Sequence, residues 1–270
     1  MADRVEILRE LGLLPLWRLR AKPDAAAGAV GAESLEERTG KVGAQGDRAV
    51  APPVPRDASA TSADARLRRI AALDWKAFAG DVDACTACAL CRTRNKSVPG
   101  VGDVQAQWLF IGEAPGAEED AKGEPFVGQA GRLLDSMLAA LGMRRGDNVY
   151  IANVLKCRPP GNRTPEPLES EACRPYLDRQ IALIAPRIIV ALGKSAATTL
   201  LNVDATIASL RGRVHRYQGV PLVVTYHPAY LLRNLPDKAK AWEDLCLARA
   251  TLRRLQEAPG ASSERGPASE

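Results

Sequence analysis

Trp108-Leu109-Phe110-Ile111 is an unbroken apolar run, and Gly112-Glu113-Ala114-Pro115-Gly116 follows it at once. Consecutive large apolar residues that stop at a Gly/Pro turn predict a short strand buried on both faces. The same form recurs in Val149–Leu155, Arg187–Leu192 and Pro221–Tyr226. From Ala130, residues Leu133, Leu134, Met137, Leu138 and Leu141 make an i, i+3/i+4 stripe that Gly142 ends, which predicts a helix between the first two runs. A second helical pattern covers 64–79, with Leu67, Ile70, Ala71 and Phe78 mostly on one face. Near-continuous apolar strands separated by helices predict an α/β fold. Its form is a three-layer α/β/α sandwich with a central, mainly parallel, four-stranded sheet.

In such sheets ligands bind outside the carboxyl ends of the strands. Gly112–Gly116, Asn153 and His227 all fall at those ends, so one crevice would gather them. Glu113 there could orient water or contact a ligand. His227 is one of only two histidines, and Pro228 stiffens the backbone behind it, which suits a catalytic or ligand-binding group. His215, in Arg211-Gly212-Arg213-Val214-His215-Arg216, suits a surface role or a nucleic-acid contact better. Phe126 sits in Gly123–Gly131, a loop too glycine-rich for ordinary core, where it would either stack on a planar base or fold back over the sheet. Gly193-Lys194-Ser195 has the end of a phosphate-loop motif, but Ile188 holds the place of the first glycine, so no phosphate loop is expected.

The six cysteines are the second strong signal. Cys85-Thr86-Ala87-Cys88 is a C-x2-C clip, and Cys157 and Cys173 follow far downstream with 15 residues between them. Clustered thiols in a reducing compartment are better read as metal ligands than as a disulfide framework. An all-cysteine zinc site and an iron–sulfur cluster need the same four thiolates. The opened second pair, rich in proline, suits the wider cluster. Cys88-x2-Cys91 would also form a clip, and Cys246, in an apolar helical run, is expected to be a buried small hydrophobe.

With 46% hydrophobic and 26% charged residues, the composition is that of an ordinary soluble globular protein. No apolar run reaches the roughly 20 residues of a membrane span, and the N-terminal apolar stretch lacks a signal-peptide cleavage site. A cytoplasmic protein without a membrane partner is expected. The net charge of +5 permits a polyanionic partner without requiring one. Residues 22–63 are rich in Ala, Gly, Ser and Pro without aromatics, as a disordered linker would be, and 257–270 read as a disordered tail. The folded domain is expected at 64–256, preceded by a separate motif within 1–21.

Taken in order, the segments G-E-A-P-G, P-F-V-G-x-A-G, N-V-L-K-C-R-P-P and H-P-A-Y-L-L-R, with the four cysteines, resemble the family 4 iron–sulfur uracil-DNA glycosylases. The resemblance runs from about Trp75 to Arg254. It implies a [4Fe–4S] cluster on Cys85, Cys88, Cys157 and Cys173, with Cys91 outside, and excision of uracil from DNA by cleavage of the N-glycosidic bond, the first step of base excision repair. Glu113, His227 and Asn153 would be the catalytic residues. Phe126, Ala114, Asn153 and His227 would form the substrate-binding set, with Phe126 stacked on the base, Asn153 reading its polar edge and His227 donating to O2. Leu231 would wedge into the space left by the flipped base, and Arg233, Arg158 and Arg163 would touch the DNA backbone. The best-known uracil glycosylases carry an aspartate directly after the residue equivalent to Glu113. Here Ala114 stands in that place, as is usual in family 4.

Two other readings stand beside this one: a non-catalytic iron–sulfur or zinc nucleic-acid-binding module, and a superfamily relative with other base specificity or covalent trapping of its product. The trapping relatives carry a basic, histidine-containing insert, and Pro159–Ala172 has no histidine. Leu11–Arg20 resembles the start of the psi subunit of a bacterial replicative clamp loader, with the spacing to Trp17 departing by one residue. It would dock on a replication or repair protein, or else pack on the core as an auxiliary helix. The enzyme itself is expected to be a monomer.

Overall fold

The computed structural model describes residues 57–257. The motif expected at 11–20, most of the expected linker and the tail from 258 lie outside the described residues. Helix α1 spans Asp57–Ala71, so the linker boundary at 63 is corrected: residues 57–63 belong to a helix. Their alanines, read from composition as linker, are also the strongest helix formers. The single helix expected over 64–79 is two. Helix α2 begins at Trp75 and ends at Asp83, and Asp74 caps its start by accepting a hydrogen bond from the Ala77 amide at 2.8 Å.

Six strands form one sheet: β1 (Val101–Gly102), β2 (Trp108–Gly112), β3 (Val149–Asn153), β4 (Ile188–Leu192), β5 (Val214–Tyr217) and β6 (Val220–Thr225). Their spatial order is β1-β3-β2-β4-β6-β5. The four expected strands are the central parallel ones, and β1 and β5 add antiparallel edges. Neither edge strand carries an apolar run. β1 has two residues, and β5 reads Val-His-Arg-Tyr, as an exposed edge tolerates.

Helices α3 (Ala117–Lys122), α4 (Gln129–Ala140), α5 (Pro167–Ile184), α6 (Lys194–Leu201), α7 (Ile207–Leu210), α8 (Pro228–Leu231) and α9 (Asp237–Glu257) complete the described chain. Alternate strand residues divide between the two faces. Leu109, Ile111, Ala152, Ile189 and Val224 pack with Leu177 and Ile181 of α5 and Ala197 and Leu200 of α6. Phe110, Ile151, Val190 and Val223 pack instead with Leu134 and Leu138 of α4 and Leu245 and Leu252 of α9. These two clusters make the three layers.

The order of the strands fixes where a ligand can bind. From β2 the chain places β3 on one side, then crosses to place β4 on the other, so the connections leave β2 and β4 in opposite directions. The crevice at the carboxyl ends of β2 and β4 is this switch point. Among the described residues no helix is long and apolar enough to cross a membrane.

Candidate active site

Each parallel strand delivers one group to the crevice. Glu113 follows β2, Asn153 is the last residue of β3, Gly193 opens the turn after β4, and His227 stands two residues beyond β6. Gly112 and Asn153 are paired directly in the sheet. A β-carbon on Gly112 would lie 2.4 Å from Asn153 Oδ1 and 2.6 Å from Phe126 Cζ, so its missing side chain makes room for both groups. Phe126 itself has φ +55°, with its carbonyl pressed against Gly131, where a β-carbon would come within 1.7 Å of it. The glycines of the Gly123–Gly131 loop thus hold an aromatic ring in the pocket, 6% exposed, stacked on the His227 ring with centroids 5.4 Å apart.

A cavity of about 470 Å³ is lined by Glu113, Ala114, Phe126, Asn153, His227 and Arg233, among others. It opens beside a larger groove of about 1120 Å³ that shares Glu113 and His227 and adds Ser195 and Arg174. Asn153 is 2% exposed, and its Oδ1 is buried without a hydrogen-bond partner among the described residues. Buried polar atoms are nearly always paired, so an orphan in a pocket wall marks a place where a ligand supplies the partner. Thr225 Oγ1 is also unpartnered, but it lines neither cavity.

His227 caps α8, and its Nδ1 accepts a hydrogen bond from the Ala229 amide at 3.1 Å. That bond leaves the ring proton on Nε2. Burial, with a smaller contribution from the Arg233 cation, pushes the imidazole pKa down to about 4, although the Glu119 carboxylate pulls it up. The ring is therefore a neutral donor at physiological pH. Burial also pushes the Glu113 carboxyl above its usual range, with the Ser195 hydroxyl pulling the other way.

Sequence reasoning passed over two residues here. Glu119 accepts from the amides of Gly116 (3.1 Å), Val127 (3.0 Å) and Gly128 (3.2 Å), tying the turn after β2 to the Phe126 loop. Its position three residues after an N-terminal glycine was the available signal. Ser195 belongs to the segment set aside as a failed phosphate loop. Gly193, at φ +94°, brings it into the crevice, and a β-carbon on that glycine would lie 3.0 Å from His227 Cβ.

The expected DNA-contacting residues separate. Leu231 is 1% exposed, packed with Tyr226 and Ala241, so the wedge assignment is corrected: its side chain faces the core. Its neighbour Leu232 is 39% exposed. Arg233 lines the cavity beside Phe126 and Asn153 and, among the described residues, is in no ion pair. Arg158 Nε donates to Asn162 at 2.7 Å. Arg163 is not a free cation. Both arms of its fork meet Glu169, at 2.9 and 2.6 Å, and so fasten the start of α5. His215 Nε2 is 2.7 Å from the Leu210 carbonyl, which gives it a role in the edge strand.

The four expected ligand cysteines come together, apart from the residues that line the crevice. Cys85, Cys88, Cys157 and Cys173, with Cys91, line a small cavity between α2, α5 and the turn after β3. Cys246 is half-buried in α9, away from it. Among the described residues no group of three His, Cys, Asp or Glu side chains is gathered tightly enough to hold a single metal ion. Donors point at the sulfurs: Arg94 Nη1 to Cys157 at 2.9 Å, the Lys156 amide to Cys173 at 3.3 Å, and Arg66 Nη2 to Cys85 at 3.8 Å.

Strand-end carboxylate, amide and histidine around an aromatic-walled pocket, on this sheet order, define a class of base-excising enzymes. The chain belongs to the uracil DNA glycosylase superfamily, whose model matches residues 99–246, from before β1 into α9. Within that family it is similar to the type-4 uracil-DNA glycosylase of Archaeoglobus fulgidus, at 48% identity over 56% of this chain and 80% of the relative. The type-4 enzyme of Pyrobaculum aerophilum is 46% identical over 60% of this chain and 87% of its own, and that of Thermotoga maritima 43% over 64% and 92%.

Proposed function

We propose that this protein is a uracil-DNA glycosylase that takes uracil out of the DNA stack and hydrolyses its N-glycosidic bond, leaving an abasic site for base excision repair. The observation that carries the reading is the unpartnered Asn153 Oδ1 in a pocket walled by Phe126 and His227. Uracil offers N3–H as donor beside O4 as acceptor, which match the amide oxygen and nitrogen of Asn153. Cytosine has an acceptor at N3 and would leave the amide oxygen buried and unpaired, a mismatch that hydrogen-bonding sites reject strongly.

The remaining residues take their roles from placement. Phe126 stacks on the extruded ring, and Ala114 leaves space beside it. As the glycosidic bond lengthens, negative charge develops on the base, and the neutral His227 donates its Nε2–H to O2. Glu113 faces the same cavity and orients the attacking water. Leu232 enters the gap in the duplex in place of the buried Leu231, and Arg233 and Arg158 contact phosphate.

Cys85, Cys88, Cys157 and Cys173 hold a [4Fe–4S] cluster. The family resemblance and the three N–H groups directed at their sulfurs support this. When bound, the cluster supplies a four-point fastening of α2, α5 and the turn after β3, and no step of the hydrolysis passes through it. We further place the enzyme in the cytoplasm as a monomer, with residues 11–20 as a docking motif for a replication or repair protein.

An oligonucleotide with one uracil, incubated with the iron-loaded protein and treated with alkali, is expected to break at that position, while a cytosine control stays whole. An unbroken uracil strand overturns the reading.

A further inference from the structure

Lys156 occupies an unusual place. It lies between Asn153, the proposed base reader, and Cys157, a proposed cluster ligand, and its side chain is 1% exposed. Its Nζ donates to the Asn153 carbonyl at 2.8 Å and to Gln180 Oε1. Its own amide donates to Cys173 Sγ at 3.3 Å, and its carbonyl accepts from Val98 at 2.8 Å. Gln180 is held in turn by the Pro99 carbonyl at 2.7 Å and the Tyr150 hydroxyl at 3.3 Å. Among the described residues no carboxylate pairs with Lys156. Lys156 lines the same small cavity as Cys85, Cys88, Cys157 and Cys173.

The backbone continues the same connection. Val154 and Leu155 donate to the carbonyls of Gly112 (2.9 Å) and Glu113 (3.0 Å), so residues 153–156 extend the pairing of β3 with β2 past the end of the sheet. The segment bearing the base reader, the carboxylate and two of the cysteines is thus a single hydrogen-bonded unit, with the Lys156 ammonium at its centre. A buried cation is retained only where an anion or well-placed acceptors compensate it, and here the Asn153 carbonyl and Gln180 Oε1 are those acceptors.

We propose that Lys156 is a positioning residue that couples the cysteine centre to the base pocket: its ammonium sets the Asn153 peptide while its backbone amide holds a cysteine sulfur. It touches neither base nor sugar and acts through Asn153. The inference rests on the proposed glycosylase and cluster readings.

The test compares full-length wild type, Lys156→Met and Gln180→Leu, all loaded with iron under anaerobic conditions. Two quantities are read: loss of visible cluster absorbance to an excess of chelator, and single-turnover uracil release at saturating protein. Supporting partners of metal ligands are typically worth ten- to a hundredfold, so Lys156→Met is expected to lose iron about tenfold faster and release uracil about tenfold slower. Its affinity for uracil-containing DNA should change less than threefold by the same reasoning, since no DNA contact is removed. Gln180→Leu should shift both readouts in the same direction by less. It also carries the test alone if Lys156→Met does not fold. The cluster's reduction potential should fall in Lys156→Met, because a nearby positive charge has gone, a shift that loss of packing alone does not dictate.

Wild-type iron retention and rate in both variants overturn the proposal, as does a change in one readout without the other. Wild type that holds iron but leaves uracil in place overturns the proposed function instead, and the chelator and potential measurements then decide the charge coupling. Wild type without iron overturns the coupling together with the cluster.

Discussion

The base pocket and the cysteine end of the molecule share β3 and its following turn, yet they treat polar atoms in opposite ways. In the pocket, Asn153 Oδ1 is left unpaired and the His227 proton is turned outward on Nε2. At the cysteine end, Arg94, Arg66 and the Lys156 amide are each directed at a sulfur, and Arg163 is consumed by Glu169. An unsatisfied buried group costs stability and persists where a ligand completes it, whereas a satisfied network fixes shape. One region is built to receive, the other to hold.

Breaking the receiving region should cost activity first. His227→Ala or Asn153→Ala is expected to lower single-turnover uracil release by about a hundredfold or more, the scale for removing one donor to a developing oxyanion. Iron content should stay at the wild-type value, and quantifying both in the same preparation checks the contrast. Gly112→Ala attacks the pocket without removing a functional group. Its methyl would intrude on Asn153 and Phe126, and displacement on the ångström scale costs up to about a hundredfold. A rate within twofold of wild type would show that the pocket relaxes around it.

Breaking the holding region should cost metal and fold first. Cys173→Ser is expected to lose its iron and unfold at lower temperature, read by absorbance and thermal melting. Residual activity should track the fraction that remains folded. Adjacent leucines sharpen the comparison further. Leu231→Ala should destabilise by about 2–5 kcal/mol, as core leucines do, while its neighbour Leu232→Ala should cost under about 0.5 kcal/mol. Activity on duplex DNA should nevertheless fall more for Leu232→Ala, and equal effects would remove its assignment as the wedge.

The smallest expected effect is in the pH profile. A histidine of ordinary pKa would be half protonated near 6.5, but His227, held near 4, keeps its donor form as the pH falls through that value. The acid limb should therefore come from Glu113, whose raised pKa means it takes up a proton above the usual carboxylate range. In Glu113→Gln the remaining limb should move down toward 4. A wild-type limb centred near 6.5 that survives this substitution would contradict the neutral imidazole.

The central sheet was legible because parallel strands are buried on both faces and so write themselves as apolar runs. The edge strands β1 and β5, open to solvent, leave no such record. The pocket residues were legible in part for a related reason: strand ends are where ligands bind, and Asn153, Glu113 and His227 follow directly from that. Glu119 and Ser195 were not. Each acts through neighbours distant in sequence, Val127 and Gly128 for one and Glu113 for the other. Leu231 and Leu232 are chemically alike, so a string of letters could not say which faced the core.

The sequence by itself determined the four central strands and the crevice at their ends, because burial periodicity and turn residues are local properties. Tertiary structure alone decided which atoms are left without partners. That depends on what the rest of the chain brings alongside: Ala229 to the imidazole, Glu169 to Arg163, the core to Leu231, and the Lys156 ammonium to the carbonyl of Asn153.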